Sequence, residues 1–187
     1  MFFAARPLPR DVEAFIAGSR DLPLSYAPVG IAGQDPPGYD VDDLAVRIGH
    51  GDKLFEQAKA ALAAWAHFRL GWVELFPSNA SIEPGSVVAV LVRQLGCWSL
   101  HGCRVLYGLG QRRGGDRFGF AYGTLINHAE MGEEIFEVFL EPESGDVFYR
   151  IRAVSRPRAL VARLGYPIVR RFQARFRRDS GAAMQRI

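Results

Sequence analysis

Lysine is almost missing from this 187-residue chain: Lys53 and Lys59 are the only two among 23 basic residues, the rest being arginine. A bias on this scale follows genome composition as readily as function, so alone it points nowhere. Cysteine is just as scarce. Cys97 and Cys103 lie in an apolar stretch without CxxC spacing, which reads as two buried thiols in a reducing compartment. No neighbouring arrangement lowers a thiol pKa, so a catalytic thiol pair is not expected. There is no run of about 18 uncharged apolar residues, so nothing spans a bilayer as a helix. "MFFAARPLPR" is too short for a signal h-region, and the expected location is cytoplasmic. Walker and G-x-S-x-G motifs are absent. "GLGQRRGG" (108–115) lacks the Lys-Ser and helix of a phosphate loop. Internal repeats and low-complexity tracts are missing too.

What is present is average globular composition, 49% apolar and 23% charged. At this length folding buries about 70% of the unfolded surface, so a core needs neither metal nor disulfide. The net charge of +3 hides an asymmetry. Residues 150–187 hold eleven Arg and one acid, Asp179, for +10, and the first 149 residues carry 12 basic and 19 acidic side chains, for −7.

Residues 1–40, rich in Pro and Gly, read as an N-terminal arm with one short helix from Asp11 to near Gly18. In "VDDLAVRIGHG", Leu44, Val46 and Ile48 alternate with Asp43, Ala45 and Arg47, which is strand periodicity. The clearest helix follows from Asp52. Leu54, Phe55, Ala58, Leu62, Trp65 and Phe68 form its apolar stripe, and Gly71 is its expected stop. Six strands are then predicted over 72–77, 86–95, 98–109, 117–125, 133–142 and 146–155. The chain closes with an apolar stripe of Leu160, Val161, Leu164, Ile168, Val169, Phe172 and Phe176 among arginines, with a kink expected at Pro167. A helix of about 25 residues is about 37 Å long and buries such a stripe only by lying across a curved sheet. The predicted class is α+β: an antiparallel sheet of six to seven strands wrapped around a long C-terminal helix, over residues 41–187.

This order of elements resembles the helix-grip fold of the START and birch-pollen-allergen superfamily. "GDKLFEQAKAALAAWAHFRLGWVELFP", "RFGFAYGTLINHAEMGEEIF" and "SRPRALVARLGYPIVRRFQARFRRDS", with "SYAPVG" in the arm, are similar to the family known as domain of unknown function 1990. The resemblance implies a fold, and the wider superfamily, whose members bind lipids, sterols and polyketides, implies a cavity between sheet and helix.

The candidate site residues follow from that cavity. His128, Glu130, Glu133 and Glu134 are read as a polar turn between two strands. Either it is only a hydrogen-bonded hairpin end, or His128 is a general base oriented by Glu133 at a pocket rim. H-x-E-x-x-E-E in a loop has no fixed ligand geometry, so no metal is expected, and no cofactor is implied. Ligand-facing candidates are Trp98, Arg104, Tyr107, Phe118, Phe120, Tyr122, Thr124 and His128. The expected partner is an apolar or amphipathic small molecule, with turnover left open. The alternative is an interaction module whose Arg-rich C-terminal helix docks an acidic partner, RNA or an anionic membrane.

Overall fold

Apolar residues spaced two apart, broken by turn residues, dictate an antiparallel sheet, and the chain builds one. The computed structural model describes residues 1–110, 116–158 and 166–187. Among them run eight strands: β1 (Phe2–Phe3), β2 (Asp40–His50), β3 (Val73–Phe76), β4 (Val87–Gln94), β5 (Cys97–Leu109), β6 (Arg117–Thr124), β7 (Glu130–Leu140) and β8 (Asp146–Pro157). Helices α1 (Pro9–Ser19), α2 (Asp52–Ala63) and α3 (Tyr166–Met184) accompany them, with short 3₁₀ turns at Ile31–Gly33 and Ala66–Phe68. The strand order is β2-β8-β7-β6-β5-β4-β3, every pairing antiparallel. β1, unforeseen in the sequence, pairs Phe2 with Ser99 and Phe3 with Trp98. It occupies the flank of β5 that β6 leaves free, since β6 joins β5 only from Cys103 onward. This is the expected helix-grip α+β architecture, a curled sheet with a C-terminal helix.

Strand alternation gives the sheet two working faces. Inward, Phe120, Phe136, Val138, Tyr149 and Ile151 pack with Phe55, Leu62, Trp65 and Phe68, and with Phe172 and Phe176 of α3. Outward, the arm covers what the sheet exposes. Val12 and Phe15 of α1 pack on Ala89, Leu91 and Leu100, while Tyr26, Ile31 and Ala32 pack near Val154, Leu106 and Ile135.

The second helix is shorter than its stripe implied. It stops at Ala63, because Trp65 takes a left-handed conformation at φ 55°. That conformation is costly for a bulky residue. The indole is held there by burial to 2% exposure and by donation from its Nε1 to the Ala80 carbonyl at 2.9 Å. Trp65 and Phe68 therefore reach the core from an irregular segment. Cys97 is exposed and Cys103 buried, so one of the two expected buried thiols lies at the surface. Pro167 is the second residue of the described α3, and the residues before Tyr166, which a kink there would involve, lie outside the described residues. Leu160, Val161, Arg163 and Leu164 lie outside the described residues.

Candidate functional site

The polar segment expected as a turn is largely strand. β7 begins at Glu130, because β8 extends to Pro157 and supplies partners: Glu130 faces Pro157, Met131 faces Arg156 and Gly132 faces Ser155. Only residues 125–129 join β6 to β7. Period-two alternation then separates the acids. Glu130 and Glu134 project to the inner face, and Glu133 and Glu137 to the outer.

On the inner side lies a cavity of about 330 Å³ between the sheet and α3. Phe68, Trp72, Val90, Val92, Ile151, Phe172 and Phe176 form its apolar wall. Tyr122, Glu130, Glu134, His101, His128, Gln173 and Arg177 form its polar part. The Tyr122 hydroxyl donates to Glu134 Oε2 at 3.1 Å, and Gln173 Nε2 donates to Glu130 Oε1 at 2.8 Å. The rings of His101 and His128 lie 4.7 Å apart. The Glu130 N–H donates to His128 Nδ1 at 3.0 Å, which puts that ring's proton on Nε2. His101 Nε2 bonds Ser99 Oγ at 2.8 Å, while its Nδ1 has no partner among the described residues.

Low dielectric sets the protonation of this cluster. Burial, and then the neighbouring Glu130, push the Glu134 carboxyl up to about 7, against the pull of the Tyr122 hydrogen bond and Arg177. Burial likewise raises Glu130. Burial lowers His128 to about 4, and it holds His101 well below its usual value, helped by His128 and the N-terminal ammonium. The cavity thus pairs neutral imidazoles with a carboxyl poised near neutrality, a group able to give or take a proton at pH 7.

A stability signature follows. The unfolded chain releases the Glu134 proton near 4.5, the folded protein only near 7. The folded state therefore binds more protons across that interval, and this group makes stability fall as pH rises from 4.5 to 7. Glu134→Gln is expected to raise stability at about pH 8 by up to about 3 kcal/mol, with no gain at about pH 4. Urea unfolding at the two pH values checks it.

Residues 25–183 match the family described as Domain of unknown function (DUF1990). The chain belongs to that family. A UPF0548 protein of Dictyostelium discoideum is 34% identical, over 96% of this chain and 92% of its own length. A UPF0548 protein of Deinococcus radiodurans is 36% identical, over 94% of this chain and 92% of its own. Among solved structures, Ara h 8.0201 aligns with TM-score 0.46 and 12% identity, covering 79% of this chain and 99% of that one. That last likeness bears on neither site nor function.

In this DUF1990 member, Tyr122 and His128 are the two of the eight ligand-facing candidates that line the cavity. Phe118 and Phe120 share the inner face with Tyr122 but pack in the core around α2. Thr124 closes the end of the ladder, its Oγ1 accepting from the Gly132 N–H at 2.9 Å. Trp98 lies between Arg6 and Arg93, 5.5 and 5.7 Å from their guanidinium carbons. Arg104 donates to the Arg20 and Leu22 carbonyls at 2.8 and 2.9 Å, anchoring the arm. Tyr107 bonds Glu133 at 2.5 Å on the outer face. The structure therefore does not bring His128 and Glu133 together; the sheet lies between them. Glu130, Glu134, His101 and Gln173 were absent from the ligand-facing set. Counting back in twos from Phe136 places Glu134 and Glu130 on the core face, the one sequence signal that finds them.

Proposed function

We propose that the protein binds an apolar or amphipathic small molecule in the cavity between the sheet and α3. One observation carries this: a cavity of about 330 Å³ walled by aromatic and aliphatic side chains, with convergent polar groups in one part of its lining. That size lies at the lower end of the range for small-molecule sites, and the mixture of lining groups is theirs. A chamber meant only to be core would be filled, because each void forfeits dispersion contacts.

The rival reading, docking through the arginines of α3, has less support. Arg170 and Arg177 pair with Asp42 at 2.5 and 2.8 Å, and Arg175 and Arg178 pair with Asp179 at 3.3 and 3.0 Å. Such partners reduce the positive charge available to a phosphate surface.

Native mass spectrometry against the denatured mass, with a thermal-shift panel of lipids and aromatics, tests the proposal. Ligand at about 100 times its Kd adds about 2.7 kcal/mol, and a Tm rise of about 5–10 °C follows for a domain of this size. Ala153→Phe, filling the chamber from β8, is expected to abolish both adduct and shift. Absence of adduct and of any shift in the parent protein would end the cavity reading.

A further inference from the structure

The charge inventory around the cavity is unbalanced. Four carboxyl groups converge near its polar part: Asp40 and Asp42 of β2, with Glu130 and Glu134 of β7, all of them coupled electrostatically. Among the described residues two guanidiniums, Arg170 and Arg177, act on this group, and both form their ion pairs with the same acid. Arg170 grips Asp42 with two nitrogens, at 2.5 and 2.7 Å, and Arg177 reaches it at 2.8 Å. Asp40 takes the Tyr166 hydroxyl. Glu130 and Glu134 are left with neutral donors, Gln173 and Tyr122. The Met1 ammonium, coupled electrostatically to both histidines, donates to the Leu100 carbonyl at 2.9 Å. No lysine appears in the lining.

A second observation points the same way. His101 lines this chamber at 7% exposure, and its Nδ1 has no hydrogen-bond partner among the described residues. Buried polar atoms are ordinarily satisfied, so an orphan beside a cavity marks a group that something else completes. The apolar wall includes Phe68, Trp72, Phe172 and Phe176, whose ring faces carry negative charge density.

From this we infer that the ligand is an amphipathic cation: an apolar, aromatic-sized body carrying an ammonium group that lodges against Glu134 and Glu130. The inference rests on the cavity reading and narrows it. Bound there, the ammonium supplies the charge the carboxyl pair lacks and donates charge-assisted hydrogen bonds in a site where water does not compete. An anionic ligand meets like charge, and a neutral one leaves the pair uncompensated.

The test uses three probes with one apolar body: naphthylethylamine, naphthylethanol and naphthylacetate, titrated calorimetrically into the full chain at about pH 8. The amine is expected to bind about tenfold or more tighter than the alcohol, the margin of a charge-assisted over a neutral hydrogen bond. The acid should be weakest. Glu134→Gln should erase the amine's advantage over the alcohol. Glu130→Gln should reduce that advantage as a second, independent variant. An alcohol that equals the amine in the parent protein overturns the inference and leaves the cavity reading standing. A full amine preference in both variants overturns it as well. Absence of binding by all three probes overturns it, and the cavity reading falls too if native mass spectrometry shows no adduct.

Discussion

Replacing Glu133 with Ala is expected to cost about 3–5 kcal/mol and to lower Tm by on the order of 10 °C. The side chain is 1% exposed, and both its oxygens act as acceptors. Oε2 takes the Tyr26 hydroxyl at 2.7 Å and the Gly30 N–H at 2.9 Å. Oε1 takes the Tyr107 hydroxyl at 2.5 Å and the Ala32 N–H at 3.4 Å. Truncation strands these donors in a buried interface, and each unsatisfied group costs about 1–3 kcal/mol. The loss falls where the arm meets the sheet, so amide exchange should accelerate first around residues 24–34. Glu133→Gln, which keeps the shape and one acceptor, should lose about half as much. Because the sheet separates Glu133 from the cavity, probe affinity in the folded fraction should be unchanged. A loss of cavity binding larger than the loss of folded protein would return Glu133 to the site.

Gly132→Ala is expected to cost about 3 kcal/mol or more and to alter the cavity at the same time. A Cβ at this position would lie 2.1 Å from the Val154 carbonyl oxygen and 2.7 Å from the Ser155 Cα, both backbone atoms of β8. No side chain can turn aside to make room, so β7 and β8 must separate. Gly132 stands between Glu130 and Glu134, and its N–H and carbonyl both engage the Thr124 hydroxyl, at 2.9 and 3.2 Å. Displacing it therefore moves both acids relative to Tyr122. Gly119→Ala provides the comparison. Its Cβ would lie 2.3 Å from the Phe136 carbonyl oxygen, far along β6 from the acids. It should destabilise to a similar degree while sparing the shift in Glu134 that urea unfolding against pH reports. Equal stability of Gly132→Ala and the parent protein would show that the strands can part freely there.

Much of the fold lies open in local pattern. The alternation of Leu44, Val46 and Ile48, and of Phe118, Phe120 and Tyr122, marks strands because a pleated backbone sends neighbours to opposite faces. The stripe of Phe55, Ala58 and Leu62 marks α2 for the corresponding reason at a period of 3.6. Seven of the eight strands and the closing helix come from such periods, and with them the grip of sheet on helix. The pattern failed where both faces of one strand are buried. In β7, Glu133 meets the arm and Glu134 meets the cavity, so the four polar residues His128, Glu130, Glu133 and Glu134 read as a turn although each has its own hydrogen-bond partner. It failed also at β1, whose two residues are too few to show a period.

The sequence by itself determined element order, the antiparallel class and the presence of a core-facing stripe on the last helix. Each follows from interactions between residues close along the chain. Tertiary structure alone decided which acids face the cavity, that Arg170 and Arg177 both go to Asp42, and that burial lifts Glu134 to about 7. Those outcomes depend on which groups distant along the chain, such as Asp42 with Arg170 and Arg177, come to share one low-dielectric space, and no local periodicity encodes that.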